Sequence, residues 1–123
     1  MKYHVVKRSN PLNKDEIKYY AAPQYGEELT LMDLAMEISD ASTLNVIDVE
    51  AVLIALLRKL PIHLKNGLRV QLGSFGRVKL SFSSKGCEKE EDVDASSITN
   101  IRILFTPNAA LKRDVEKAVF SKA

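Results

Sequence analysis

Arg77 and Lys79 stand at alternate positions of the stretch Arg69–Phe82, RVQLGSFGRVKLSF, with Val78, Leu80 and Phe82 between and after them. In a strand, alternate residues share a face. One side of this ribbon is therefore apolar and the other carries cations, with Arg69 and Gln71 continuing the polar pattern ahead of two glycines. Gly73 and Gly76 flank Phe75. The Walker pattern needs Gly-Lys-Ser/Thr entering a helix, whereas Gly76 leads into a strand, so a phosphate loop is rejected. Glycines in a strand pattern mark a bend, a bulge or the close approach of another element, and here they predict a sharp turn that sends Phe75 into the core.

Other chemistry-bearing residues offer less. His4 and His63 lie far apart and have no metal-ligand neighbour at helical or turn spacing, so each reads as structural. Cys87 sits beside Gly86 at the start of an acidic run that disfavours a thiolate. Glu88–Asp94, EKEEDVD, lacks the Asp-x-Asp-x-Asp-Gly pattern of a calcium loop and reads as a solvated charge run. No enzyme, cofactor, metal site or small-molecule substrate is expected. The net charge of +2 hides an uneven distribution: without that run the chain is clearly basic. Such separation suits a polyanion or a solvated surface equally.

These residues must be positioned by a small fold, since 123 residues make one domain of modest core. Lys2–Arg8 and Glu16–Ala22 are rich in β-branched and aromatic residues around turn formers, predicting a hairpin closed by Pro23 and Gly26. Thr30 and Asp33 form an N-cap box ahead of a helix with Leu31, Leu34, Ala35 and Ile38 on one face. Asn45 caps a second helix, with Asp48 in its first turn. The segment Val49–Leu57, VEAVLIALL, is apolar nearly all round and must be covered nearly all round. A second copy of the chain does this, or else a central position in a monomer. Pro61 predicts a kink or a restart, and Asn66-Gly67 a stop. Ser83–Ser97 reads as an exposed mobile loop or arm, Ile98–Phe105 as a strand, and Ala109–Phe120 as a closing helix. The order is β-β-α-α-β-β-(arm)-β-α, an α+β chain without an internal repeat. No stretch approaches the roughly 20 apolar residues of a membrane span. The N-terminal residues include no apolar signal segment, and a single cysteine makes no internal disulfide, so the expected location is cytoplasmic.

Two stretches carry a resemblance. Leu64–Val78, LKNGLRVQLGSFGRV, and Phe105–Lys112, FTPNAALK, resemble the two signature segments of the HU and integration host factor proteins, bacterial architectural DNA binders. Asn108 stands where that family has Gly, in a role Asn can fill because it tolerates the same backbone region and can also cap a helix. The resemblance covers about Glu28 to Phe120. It implies an intertwined homodimer with helices packed under a β-saddle, a long β-arm, and double-stranded DNA as partner. Residues 1–27 are then an N-terminal hairpin extension and residues 28–123 the HU-like DNA-binding domain. It further implies that Arg69, Arg77, Lys79, Lys85, Arg102, Lys112 and Arg113 contact DNA and that the protein is associated with the nucleoid. The family's arm is Arg-rich with an Arg-Asn-Pro tip. Here no proline occurs between Pro61 and Pro107, and the arm is acidic. Two readings follow: a sequence-indifferent architectural DNA binder, or a module of the same fold that binds a protein and little or no DNA.

Overall fold

A computed structural model describes residues 1–123. It is a mixed α+β structure with three α-helices and two three-stranded sheets. The chain divides into two units, Met1–Leu29 with Asp114–Ala123, and Thr30–Arg113.

In the first unit, β1 (Lys2–Asn10) and β2 (Asn13–Gln24) form an antiparallel hairpin. The strands run longer than the sequence pattern indicated because the turn is only Pro11-Leu12. Asn10 Oδ1 accepts from the Leu12 N–H at 3.0 Å, which stabilises the reversal locally. A short strand, β6 (Ser121–Lys122), pairs parallel to β1 at Lys2 and Tyr3. The Ser121 and Ala123 N–H groups donate to the Met1 and Tyr3 carbonyls at 3.1 and 2.9 Å.

This pairing corrects the expected closing helix. That helix, α3, runs only Ala109–Val115. After it, Lys117 and Ala118 donate back three residues, to Asp114 and Val115, and the chain leaves the helix. A strand partner on β1 satisfies the backbone of the last residues, so the apolar spacing of Val115 and Val119 does not continue as a helix face.

In the second unit, α1 (Leu31–Asp40) starts at the expected capping box. Thr30 Oγ1 accepts from the Asp33 N–H at 3.2 Å, and the Asp33 carboxylate accepts from the Thr30 N–H at 2.9 Å. Helix α2 (Val46–Lys65) is capped by Asn45, whose Oδ1 accepts from Ile47 at 2.8 Å. It continues through Pro61 as one helix, so the chain does not restart there. Its end is set by Gly67 at φ 80. The Leu68 and Gly67 N–H groups reach back to the carbonyls of His63 and Leu64, closing the paired bonds of a left-handed C-terminal cap.

The second sheet has the order β3 (Val70–Gln71), β4 (Gly76–Ser84), β5 (Ile98–Pro107), antiparallel throughout. Val78 faces Val70 on one side and Phe105 on the other. The buried apolar residues of the whole chain are Ala35, Val49, Leu64 and Val78, and no large side chain is fully enclosed.

The link from β4 to β5 is exposed except at Ser97, as expected of a loop or arm, and it is locally structured. It contains two single-turn 3-10 helices, Glu90–Asp92 and Ala95–Ser97. Lys85 N–H donates to the Ser97 carbonyl at 2.8 Å. Asp94 caps the second turn by accepting from Ser96 N–H at 2.9 Å, and Ser97 is buried. Short Asx-type bonds supply order that hydrophobic periodicity does not reveal.

Candidate nucleic-acid interface

The turn at the base of the ribbon is built from both signature stretches. Gly73 has φ 55, the left-handed region that L side chains avoid. Leu72 N–H donates to the Gly76 carbonyl at 2.8 Å, and Phe75 N–H to Leu72 at 3.0 Å. Gly76 serves differently: a Cβ there would lie 2.5 Å from the Thr106 carbonyl oxygen and 2.6 Å from the Phe105 ring. Asn108 N–H donates to the Phe75 carbonyl at 3.0 Å, while its Oδ1 accepts from Ala110 N–H at 2.9 Å at the start of α3. Phe75 stacks on Phe105 with ring centroids 5.2 Å apart and is 54% exposed, so within one chain it does not enter a core.

This turn fixes the register of the ribbon. Arg77 lies opposite Thr106 on one side and Gln71 on the other, Lys79 opposite Leu104, and Ser81 opposite Arg102. Arg77, Lys79, Ser81 and Ser83 therefore share one face of β4, with successive members about 7 Å apart. Beyond Ser81 the register shifts, so that Ser83 opposes Thr99. Asn100, at φ 53, takes up the extra residue. Arg102 Nη1 then donates to Ser83 Oγ at 3.0 Å and to the Asn100 carbonyl at 3.2 Å, which holds the guanidinium along the polar face.

The structure thus brings together three of the sequence candidates: Arg77, Lys79 and Arg102. Arg69 lies one residue before β3. Lys85 lies just past β4, at the foot of the acidic link. Lys112 and Arg113 are exposed on α3. Gln71 continues the cationic face as its alternation indicated, while Thr99 and Thr106 share that face but were not singled out from sequence. Cross-strand register is the signal that identifies them, and the bulge at Asn100 hides it in the alternation of ITNIRILF.

The electrostatics follow from composition along the chain. No Asp or Glu occurs from Asn66 to Cys87 or from Ala95 to Arg113. The chain's ion pair, Lys18–Glu16, lies in the first unit. No group of three or more His, Cys, Asp or Glu side chains is positioned to hold a metal ion. The opposite face of the ribbon meets α2. There Leu57, Leu60, Pro61 and Leu64 with Val78, Leu80 and Ile103 line an open, mostly apolar groove of about 690 Å³, to which Lys65 and Arg102 also contribute.

Comparison with known proteins places this geometry. No curated protein matches the chain. Among solved structures, a Bacteroides vulgatus protein provisionally called a bacterial DNA binding protein superposes with a TM-score of 0.63 at 11% identity. The match covers 98% of this chain and 47% of that one, so the chain spans about half the length of that protein. At that identity the likeness is one of fold. The profile of the HU-HIG family, described as an HU domain fused to wHTH, Ig, or Glycine-rich motif, matches residues 1–122, hairpin included. With nearly its whole length inside that profile, the chain belongs to the HU-HIG family.

Proposed function

We propose that the chain is an HU-like architectural DNA-binding protein that acts as a homodimer in the cytoplasm, associated with the nucleoid. The observation that carries this reading is the ribbon face on which Arg77, Lys79 and Arg102 stand in register, none of them held in an ion pair. Cations on a rigid strand face suit phosphate oxygens, and phosphate contacts supply affinity and register without reading base sequence. Arg69, Lys112 and Arg113 extend the same contact, and Lys85 is its outermost cation. Residues 28–123 supply this function, with residues 1–27 as an extension. Family membership and the name of the Bacteroides vulgatus protein support the reading. No catalytic step is assigned.

The homodimer rests on surface area. The single chain exposes 10624 Å². A folded monomer of 13.7 kDa exposes about 6,600 Å², or about 7,800 Å² if its two units are counted as separate bodies of about 4 and 9 kDa. Ile47, Val52, Ile101 and Ile103 are each more than 65% exposed. An apolar excess of this kind calls for a partner surface, and a second copy offers the same groove to the first.

A second reading is favoured by one feature, the link that joins the ribbon strands. Glu88–Asp94 sets five carboxylates against Lys89 alone, so that end of the ribbon repels phosphate and suits a basic protein surface. The two readings separate on a duplex titration of the wild type and of the double variant R77E/K79E at low salt. The DNA-binding reading expects affinity at least tenfold weaker in the variant. Undetectable wild-type binding, or equal binding by both proteins, favours the protein-interaction module.

A further inference from the structure

The hairpin carries a second cationic cluster that the ribbon does not use. Register sets Arg8 directly opposite Lys18, and Val6 opposite Tyr20. By strand alternation, Arg8, Asn10, Glu16, Lys18 and Tyr20 share one face. The Arg8 guanidinium carbon lies 5.7 Å from the centre of the Tyr20 ring. The Glu16 carboxylate is engaged by Lys18 Nζ at 3.3 Å and by Asn10 Nδ2 at 3.1 Å. No carboxylate pairs with Arg8. The same five residues, with Ser9 and Pro11, line an open notch of about 440 Å³.

Like charges directly opposite each other on neighbouring strands work against the hairpin unless an anion lies between or above them. A guanidinium resting on an aromatic ring keeps its N–H edge free and oriented, the arrangement suited to a bidentate contact with phosphate. The flat Tyr20 ring beside it offers a surface for a sugar or a base. The one acid on this face, Glu16, is already engaged by Lys18 and Asn10, so the uncompensated cation is Arg8. Counted over the hairpin, Lys2–Gln24 holds five bases, Lys2, Lys7, Arg8, Lys14 and Lys18, against two acids, Asp15 and Glu16.

We propose that the Arg8–Lys18–Tyr20 face is a second phosphate-contacting surface that takes the backbone of duplex DNA independently of the ribbon. This rests on the reading of the chain as a DNA binder. Its test is a titration of fluorescent duplex with the full chain across about 50 to 200 mM salt, comparing wild type, R8A/K18A, R8K/K18R and R77E/K79E. Removing one cation from its phosphate makes the slope of log affinity against log salt shallower by about 0.9. R8A/K18A is expected to be shallower than wild type by about 0.9 per chain for the unpaired Arg8, rising to about 1.8 where Lys18 exchanges Glu16 for a phosphate, and weaker at the lowest salt. R8K/K18R, which keeps both charges, is expected to restore the slope. That restoration separates missing charge from a misfolded hairpin, and far-UV circular dichroism of all four proteins checks the strands directly. An R8A/K18A protein with wild-type slope and affinity overturns the proposal even if R77E/K79E binds poorly, which leaves the ribbon reading intact. Weakened binding in R8A/K18A together with wild-type binding in R77E/K79E supports the hairpin and sinks the ribbon. A wild type that binds no duplex overturns both.

Discussion

Replacing Gly76 by Ala tests how the ribbon is held. The added methyl would meet the Thr106 carbonyl oxygen at 2.5 Å and the Phe105 ring carbons Cε2 and Cζ at 2.6 and 2.8 Å. The ring, tilted against Phe75 at 5.2 Å and 43% exposed, can give way, but the carbonyl cannot. The carbonyl is backbone, one residue from the pair that Gly76 makes with Pro107. Relief therefore requires β4 and β5 to separate at the point that sets the register of Arg77 and Lys79. Overpacking costs about 1–3 kcal/mol, and a backbone neighbour places this case at about 2–3 kcal/mol. At roughly 4 °C per kcal/mol for a chain of this size, Tm should fall by roughly 8–12 °C. The assay is urea and thermal unfolding followed by circular dichroism at fixed protein concentration, since association shifts apparent stability. Gly26→Ala is the control: nothing lies within 4 Å of its added Cβ, and its change should stay within about 0.5 kcal/mol. A G76A protein as stable as wild type would refute the argument that close approach, rather than backbone freedom, demands glycine there.

Two further outcomes are expected. The bonds that Asp33 accepts from the Thr30 N–H and O–H groups lower its pKa below the ordinary 3.8. A depressed carboxylate stabilises the fold above its unfolded value, and the contribution is lost as pH falls through the folded value. The Thr30 amide resonance should accordingly move as the pH is taken below the ordinary carboxylate value of 3.8, and should stay put in D33N; an unmoved wild-type resonance contradicts this. Sedimentation equilibrium at micromolar concentration should give about 27 kDa, twice the 13.7 kDa chain, and a species of 13.7 kDa would contradict the paired chain.

Much of the fold is legible wherever a local signal decides the structure. Thr30 with Asp33, Asn45, and Asn66-Gly67 each bound a helix by satisfying orphan backbone groups within a few residues, so sequence spacing suffices. The alternation in RVQLGSFGRVKLSF likewise fixes which side of β4 is cationic. The misses are places where a distant or weak partner decides. Val115–Phe120 has helical spacing but yields to pairing of β6 with β1, more than a hundred residues earlier in the chain. Pro61 forfeits one hydrogen bond, yet α2 does not restart there, because the remaining bonds of the helix carry it on to Lys65. The Lys85–Ser97 link is ordered by Asx-type bonds around Asp94 that no hydrophobic period reports. At the candidate site, Arg77 and Lys79 are visible in the strand pattern. Their relation to Arg102, Gln71 and Thr106 depends on register and on the Asn100 bulge. The hairpin cluster escapes notice because Arg8 and Lys18 meet only through cross-strand pairing.

The most direct measurement of the central claim is the salt dependence of wild-type binding to a duplex of arbitrary sequence. If Arg77, Lys79 and Arg102 of both copies each meet one phosphate, the slope of log affinity against log salt should be about −5 or steeper, with affinity falling about a thousandfold between about 50 and 200 mM. A slope near zero, or no binding at the lower salt, would contradict a cationic ribbon face that works by meeting phosphate.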